Sequence, residues 1–198
     1  RVSFWARCVR YEGSFRVFVS KDGVKYGEGS ISSKEGILET PNFYKKYELT
    51  LKAEEDIRGA GFVLCLEEPG TVEFDYISMF PADAVAGVFR KDLFEKLKEL
   101  HPGFIRFPGG CIVEGNTLDN RYHYKDGLKE NWARKNNWNR WAVHGNSEEN
   151  GYHSVYSHYN QTYGLGFYEY FLLCELIGAK PLPVMNVGLA CQYQSEEI

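Results

Sequence analysis

Residues 104–115 read FIRFPGGCIVEG. Four strand-forming letters come first, with Arg106 wedged between Ile105 and Phe107. Pro108, Gly109 and Gly110 follow as a turn, because glycines let the backbone bend sharply or come close to a ligand. Strand alternation puts Phe104 and Arg106 on one face. On the amino side, VFRKDLFEKLKEL (88–100) places Phe89, Leu93, Leu97 and Leu100 on one helical stripe, which His101, Pro102 and Gly103 stop. On the carboxyl side, LGFYEYFLLCELIG (165–178) reads as a second helix, with Gly178 as a left-handed cap and Pro181 just beyond it. PLPVMNVG (181–188) then reads as another buried strand. Helix, strand, helix, strand with nearly continuous apolar strands predicts a parallel sheet covered by helices.

Upstream the period is two. VSFWARCV (2–9), SFRVFVS (14–20), KKYELTLKA (45–53), GFVLCLEE (61–68) and TVEFDYISMF (71–80) alternate or run apolar, separated by turn signals such as KDG, RGAG and EPG. Short strands at this spacing, with no helical stretch between them, predict an antiparallel β-sandwich of jelly-roll type. The period changes near residues 81–87. The expected fold is therefore multidomain, β followed by α/β: a β-sandwich over 1–82 and a parallel α/β region over 83–198.

At 43% hydrophobic and 25% charged residues the composition is that of a globular protein, so a sizeable core can form. Net charge is −4 with acids and bases interspersed, so neither a nucleic-acid-binding block nor an acidic tail is expected. No apolar run approaches the roughly 18 residues of a membrane helix. RVSFWARCVR (1–10) alternates like a strand and lacks the regions of a signal peptide, so a leader is expected to be absent or already removed. The five cysteines show no CxxC pair and no metal spacing, and their odd number argues against a complete disulfide framework. Cys8 and Cys65 both lie in strand-like stretches, so two readings stay open for them, a bridge or buried thiols. No metal and no cofactor is expected.

The segment 108–163 is too long for a strand-to-helix connector, which usually takes about 2–6 residues. It holds Tyr122, Tyr124, Trp132, Trp138, Trp141, Tyr152, Tyr156, Tyr159 and Tyr163 and no phenylalanine. Rings with polar handles, set among Asn, Arg and His, suit a site that stacks on sugars and bonds their hydroxyls. A satellite core that folds the loop down is the competing reading. His144, His153 and His158 fit no common zinc spacing. Asn160-Gln161-Thr162 matches a three-letter glycosylation acceptor.

Ligands of parallel α/β folds bind at the carboxyl ends of strands. Arg106 stands at one such end and Asn186 at the other, so both are expected to face one pocket. A buried ion pair is the alternative for Arg106, a satisfied structural amide for Asn186, and a small packing residue for Cys111.

RFPGGCIVEG, LDNRYHYKD and YGLGFYEYFLLCELIGAKPLPVMNVGLACQ together resemble the α-L-arabinofuranosidases of glycoside hydrolase family 51, and the likeness reaches back into the β domain. The resemblance implies a carbohydrate-binding-like β domain at 1–82 and, at 83–198, the early part of a (β/α)₈ TIM barrel with the long loop 108–163. It implies that Arg106 supports the active-site carboxylates and sugar. Cys111 falls where some members carry a substrate-contacting Asn and others Cys. With Asn186 and Trp141 these make the expected substrate-binding set, over the turn of Pro108, Gly109 and Gly110. Retaining members need two carboxyl groups about 5 Å apart. Neither strand tip supplies one: Glu169 and Glu175 lie on a helix, Glu148 and Glu149 face apart, and Glu114 is a single carboxylate. No catalytic residue is therefore expected within this segment, and the acid/base and nucleophile are expected beyond Ile198.

The expected partners are an arabinose-containing polysaccharide or oligosaccharide and the remainder of the barrel. No nucleic acid and no membrane is expected, and self-association is open. A periplasmic or secreted location follows from a polymeric substrate outside the cell, with a cytoplasmic one as the alternative. The competing functional readings are a non-catalytic polysaccharide-binding module and a barrel glycosidase of other sugar preference.

Overall fold

The structure is a computed structural model that describes residues 1–38, 43–115, 117–138 and 160–191. The chain divides into two compact units, residues 1–91 and 92–198.

The first unit is built from β1 (Val2–Arg10), β2 (Ser14–Lys21), β3 (Val24–Ser32), β4 (Ile37–Leu38), β5 (Lys45–Leu49), β6 (Gly61–Leu66) and β7 (Thr71–Met79). They form two antiparallel sheets, in the orders β4-β5-β1-β7 and β3-β2-β6. Alternation on β1 sends Val2, Phe4 and Ala6 into the space between the sheets, where Phe15 and Val17 of β2 and Tyr47 of β5 meet them. Phe4 stacks on Tyr47 with centroids 5.2 Å apart, and Phe15 meets both rings edge-on. The Tyr47 hydroxyl donates to the Ser33 carbonyl at 2.8 Å, so its one polar atom is satisfied inside the core. These two packed faces make a β-sandwich.

Two features of this unit depart from plain alternation. β3 is absent from the apolar pattern, since VKYGEGSIS carries only scattered hydrophobics and is largely open to solvent. It forms because Asp22 and Gly23, at φ 50° and 80°, make the positive-φ turn that a tight hairpin needs. On β7 the register slips between Ser3↔Ser78 and Trp5↔Asp75, and Tyr76 sits at the slip with φ 44°. The bulge turns Tyr76 edge-on to Trp5 at 5.4 Å, burying an indole that alternation alone leaves on the outer face.

In the second unit, α1 (Lys91–Glu99) precedes β8 (Phe104–Phe107), and α2 (Cys111–Glu114) follows the glycine turn. Short 3₁₀ turns at Leu118–Asn120, Asp126–Leu128 and Asn131–Ala133 lead to β9 (Asn137–Trp138), which pairs antiparallel with β10 (Asn160–Gln161). The helix α3 (Phe167–Ile177) and strand β11 (Lys180–Pro183) complete the described part. β8 and β11 pair in parallel, Phe104↔Lys180 to Phe107↔Pro183, and α3 connects them in sequence and packs on one face. Phe107 is the anchor, stacked on Tyr170 at 4.8 Å and edge-on to Phe167 and Phe171. α3 ends at Gly178 in the left-handed conformation, φ 76°, as the sequence predicts.

Three local expectations are corrected. β8 and β11 are not buried on both faces: Phe104 is 60% and Leu182 48% exposed, because among the described residues α3 covers one side only. β11 stops at Pro183, so Asn186 lies in the loop beyond it. On α1 the buried side chain is Phe94, while Leu93 and Leu100 of the expected stripe face solvent.

Candidate substrate site

The turn after β8 builds the first feature of the site. Arg106 alternates with the buried Phe107 and is itself exposed, and its guanidinium lies against Gly109. A Cβ on Gly109 would run into that guanidinium, and its φ of 79° also favours glycine. The Phe107–Pro108 peptide is cis. Arg106 lines a cavity of about 460 Å³ whose wall includes Pro108, Ile112, Tyr122, Tyr163 and Tyr170. Among the described residues no carboxylate lies within ion-pair distance of Arg106, and none lines this cavity.

A neighbouring cavity of about 560 Å³ is lined by Asn186 and Val187 together with Arg121, His123 and Lys125. Tyr122 forms part of both walls. Arg106 and Asn186 therefore open into two adjacent cavities that share one ring, not into a single cup. The Asn186 amide is fully engaged: Nδ2 donates to the carbonyls of Val113 at 3.2 Å and Leu189 at 2.9 Å, and Oδ1 accepts the Gly188 N–H at 2.7 Å. It closes the 186–189 loop and ties it to α2.

Described members of the long loop form a small core. Tyr122 packs edge-on to Tyr163 at 4.9 Å, and Tyr122 and Tyr124 lie against Phe167. The Tyr163 hydroxyl accepts the His123 N–H at 3.0 Å and the Asn137 amide at 3.3 Å. Burial raises the phenol pKa of Tyr122, Tyr163 and Tyr170 above the ordinary value. The Tyr122 hydroxyl is buried and has no hydrogen-bond partner among the described residues. Trp141, His144, Glu148, Glu149, Tyr152, His153, Tyr156, His158 and Tyr159 lie outside the described residues.

A buried ion pair does exist in this unit, on a different arginine. Arg134 forks onto both oxygens of Glu169 at 2.7 Å each, and the two side chains are 2% and 4% exposed. Arg134 also donates to the carbonyls of Lys129 and Tyr163, and Glu169 accepts the Gly166 N–H at the start of α3. The pair thus clamps the loop onto α3. Sequence reasoning missed it, as it missed Tyr170 as a cavity wall. For Tyr170 a signal existed, its i,i+3 spacing from Phe167 on the helix.

Cys111, the first residue of α2, lies near the turn. Its sulfur, a Glu114 carboxylate oxygen and the Cys191 sulfur are all within 4.8 Å of one another. None of the five cysteines is in a disulfide, Cys8 and Cys65 included.

The family described as "Alpha-L-arabinofuranosidase 1 domain" matches residues 96–198. The chain is similar to an extracellular exo-alpha-L-arabinofuranosidase of Streptomyces chartreusis, 44% identical over 114 residues, covering 56% of this chain and 13% of that protein. It is also similar to alpha-L-arabinofuranosidase 2 of Arabidopsis thaliana, 34% identical over 154 residues, covering 77% of this chain and 21% of that protein. Among solved structures, the arabinose-bound MgGH51 α-L-arabinofuranosidase matches with a TM-score of 0.75 at 21% identity, over 100% of this chain and 30% of that one. The chain thus spans roughly an eighth to a third of the length of these proteins. Relatives are named both extracellular and intracellular, and among the described residues no helix is long and apolar enough to cross a membrane. The family pattern takes in more than half of the sequence, including β8, its glycine turn, α3 and β11: the chain belongs to the α-L-arabinofuranosidase family.

Proposed function

We propose that this chain is the substrate-binding part of a retaining α-L-arabinofuranosidase that hydrolyses terminal α-L-arabinofuranosyl residues of plant polysaccharides such as arabinan and arabinoxylan. The observation that carries the reading is the cavity at the tip of β8: a guanidinium over a glycine turn, tyrosines in the wall, and no carboxylate among the described residues. Phenol rings offer a flat apolar face to a furanose, and the guanidinium and hydroxyls offer donors to its oxygens. Retaining hydrolysis needs two carboxyl groups about 5 Å apart, so the acid/base and the nucleophile come from other strands of the enzyme. Within it, residues 1–82 act as a carbohydrate-binding-like β domain and 83–198 as the early part of a (β/α)₈ barrel. The parallel β8–β11 pair joined through α3 supports the barrel assignment. Arg106, Cys111, Asn186 and Trp141 are assigned to the sugar site, Asn186 through the loop its amide holds. The open sheet edges pair with the remainder of the barrel, or with a second copy when it is missing. A polymeric substrate places the enzyme in the periplasm or outside the cell.

The test uses an aryl α-L-arabinofuranoside with two proteins, the 198-residue chain and the full-length polypeptide that carries it. The chain alone is expected to release no arabinose and the full-length polypeptide to release it. Arg106→Ala in the latter is expected to lower kcat/KM about a hundredfold, as loss of a charged donor at a reacting sugar does. Release of arabinose by the chain alone overturns the division of labour. Cleavage of other glycosides with arabinofuranosides untouched overturns the substrate class.

A further inference from the structure

We propose that Cys111, Glu114 and Cys191 form a binding site for a thiophilic divalent cation of the zinc class. Two sulfurs and a carboxylate oxygen already lie within 4.8 Å of one another. Around a tetrahedral ion with metal–sulfur bonds of about 2.3 Å and metal–oxygen bonds of about 2.1 Å, such atoms stand roughly 3.6 Å apart. The three donors therefore have to draw together by up to about 1 Å to reach one ion.

The backbone holds the three residues in place. Cys111 and Glu114 are i,i+3 on one turn of helix and share a face. The Gly115 N–H donates to the Cys111 carbonyl at 2.9 Å, and the Cys191 N–H donates to the Gly115 carbonyl at 3.0 Å. The Asn186 amide adds a third tie, to Val113 in the middle of α2. Cys191, distant in sequence, is thus delivered by hydrogen bonds that need no metal. Among the described residues Glu114 has no cationic partner and lines neither cavity, so the hydrolytic reading leaves its carboxylate unused.

The donor set selects the ion. Two thiolates disfavour magnesium and calcium, and one carboxylate with two sulfurs suits zinc. Three protein ligands leave a fourth position for water. Cys191 is fully buried while Cys111 and Glu114 are half-buried, so two of the three ligands keep contact with solvent. Binding displaces the thiol protons, up to two per ion, and leaves no net redox change. A bound ion also withdraws the Cys111 sulfur from any sugar; this last consequence alone rests on the arabinofuranosidase reading.

Cobalt(II) and zinc titrations of the reduced full-length polypeptide test the site without reference to its activity. One equivalent of cobalt is expected to give a thiolate-to-cobalt charge-transfer band, which zinc then abolishes, with proton release measured in buffers of differing ionisation heat. Cys111→Ser and Cys191→Ser should each weaken binding at least about tenfold and remove about half the band. Glu114→Gln, a change at a half-buried side chain, should weaken binding while the band per bound ion keeps both thiolates. No charge-transfer band overturns the proposal, as does binding unchanged by all three substitutions. Isolation of the pair as a Cys111–Cys191 disulfide whose reduced form binds no cobalt overturns it too.

Discussion

Arg134 and Glu169 lie 35 residues apart and meet as a bidentate pair sealed from solvent. A pair of this kind adds little beyond what two apolar side chains of similar shape would contribute, because both charges lose their hydration. Breaking it is another matter. Glu169→Met leaves a buried guanidinium without its counter-charge and takes the acceptor from the Gly166 N–H, for an expected loss of about 3–5 kcal/mol. The double variant Arg134→Met with Glu169→Met is expected to cost much less than the sum of the two single changes. Urea denaturation of the four proteins in a mutant cycle reads both quantities. Equal and additive losses would show that the residues act separately. The same scale explains Asn186, whose polar atoms all serve the backbone around it, and Arg106, whose guanidinium rests over the glycine turn and faces a cavity.

At the scale of elements, β1 and β7 are cross-linked on their outer face by Arg7 and Glu73, which stand opposite each other in register. The Glu73 carboxyl is held below the ordinary value of 4.5, first by the hydrogen bond from Arg7 and then by that from Tyr44. A carboxyl depressed in the folded state contributes stability above its unfolded pKa and loses it as pH falls through the folded value. The gap in stability between the wild type and Glu73→Gln is therefore expected to be full above the ordinary carboxylate range and to close as pH falls through and below it. Thermal midpoints across that range measure it, and a gap that persists in acid would rule the ion pair out as the cause. Element boundaries follow a related logic. α1 is set by its amphipathic letters, yet which of its apolar residues is covered depends on what lies beside it, and the chain covers Phe94.

At the scale of the whole molecule, the two units differ in how well each closes on itself. The sandwich of residues 1–91 has fully buried Val2, Phe4, Phe15 and Val17 between two sheets. Among the described residues, the unit of residues 92–198 has a two-stranded parallel sheet with an open face, and Leu100, Phe104, Leu182 and Val187 are exposed. Parallel sheets are stable when both faces are covered, and uncovered edges recruit other chains. Residues 1–91 expressed alone are expected to be monomeric and to unfold cooperatively. Residues 92–198 alone are expected to self-associate. Sedimentation velocity on both distinguishes them, and a clean monomer of the second unit would contradict this account.

Much of the fold was legible in the letters, because periodicity and turn chemistry act over a few residues. The switch from period two to a helical repeat, the KDG hairpin turn, the Gly178 cap and the glycine pair after Phe107 all express local sterics and face burial. β3 escaped notice because a strand with a solvated face carries little hydrophobic pattern. The candidate site was legible as a place, the end of FIRF, and as a family likeness. Its wiring was not: that Arg134 finds Glu169, that Asn186 spends its amide on Val113, and that Cys191 comes to rest beside Cys111. Those pairings depend on loops closing over 35 to 80 residues. Letters at such separations carry no mutual signal in one sequence, so only the tertiary structure brings these groups within bonding distance.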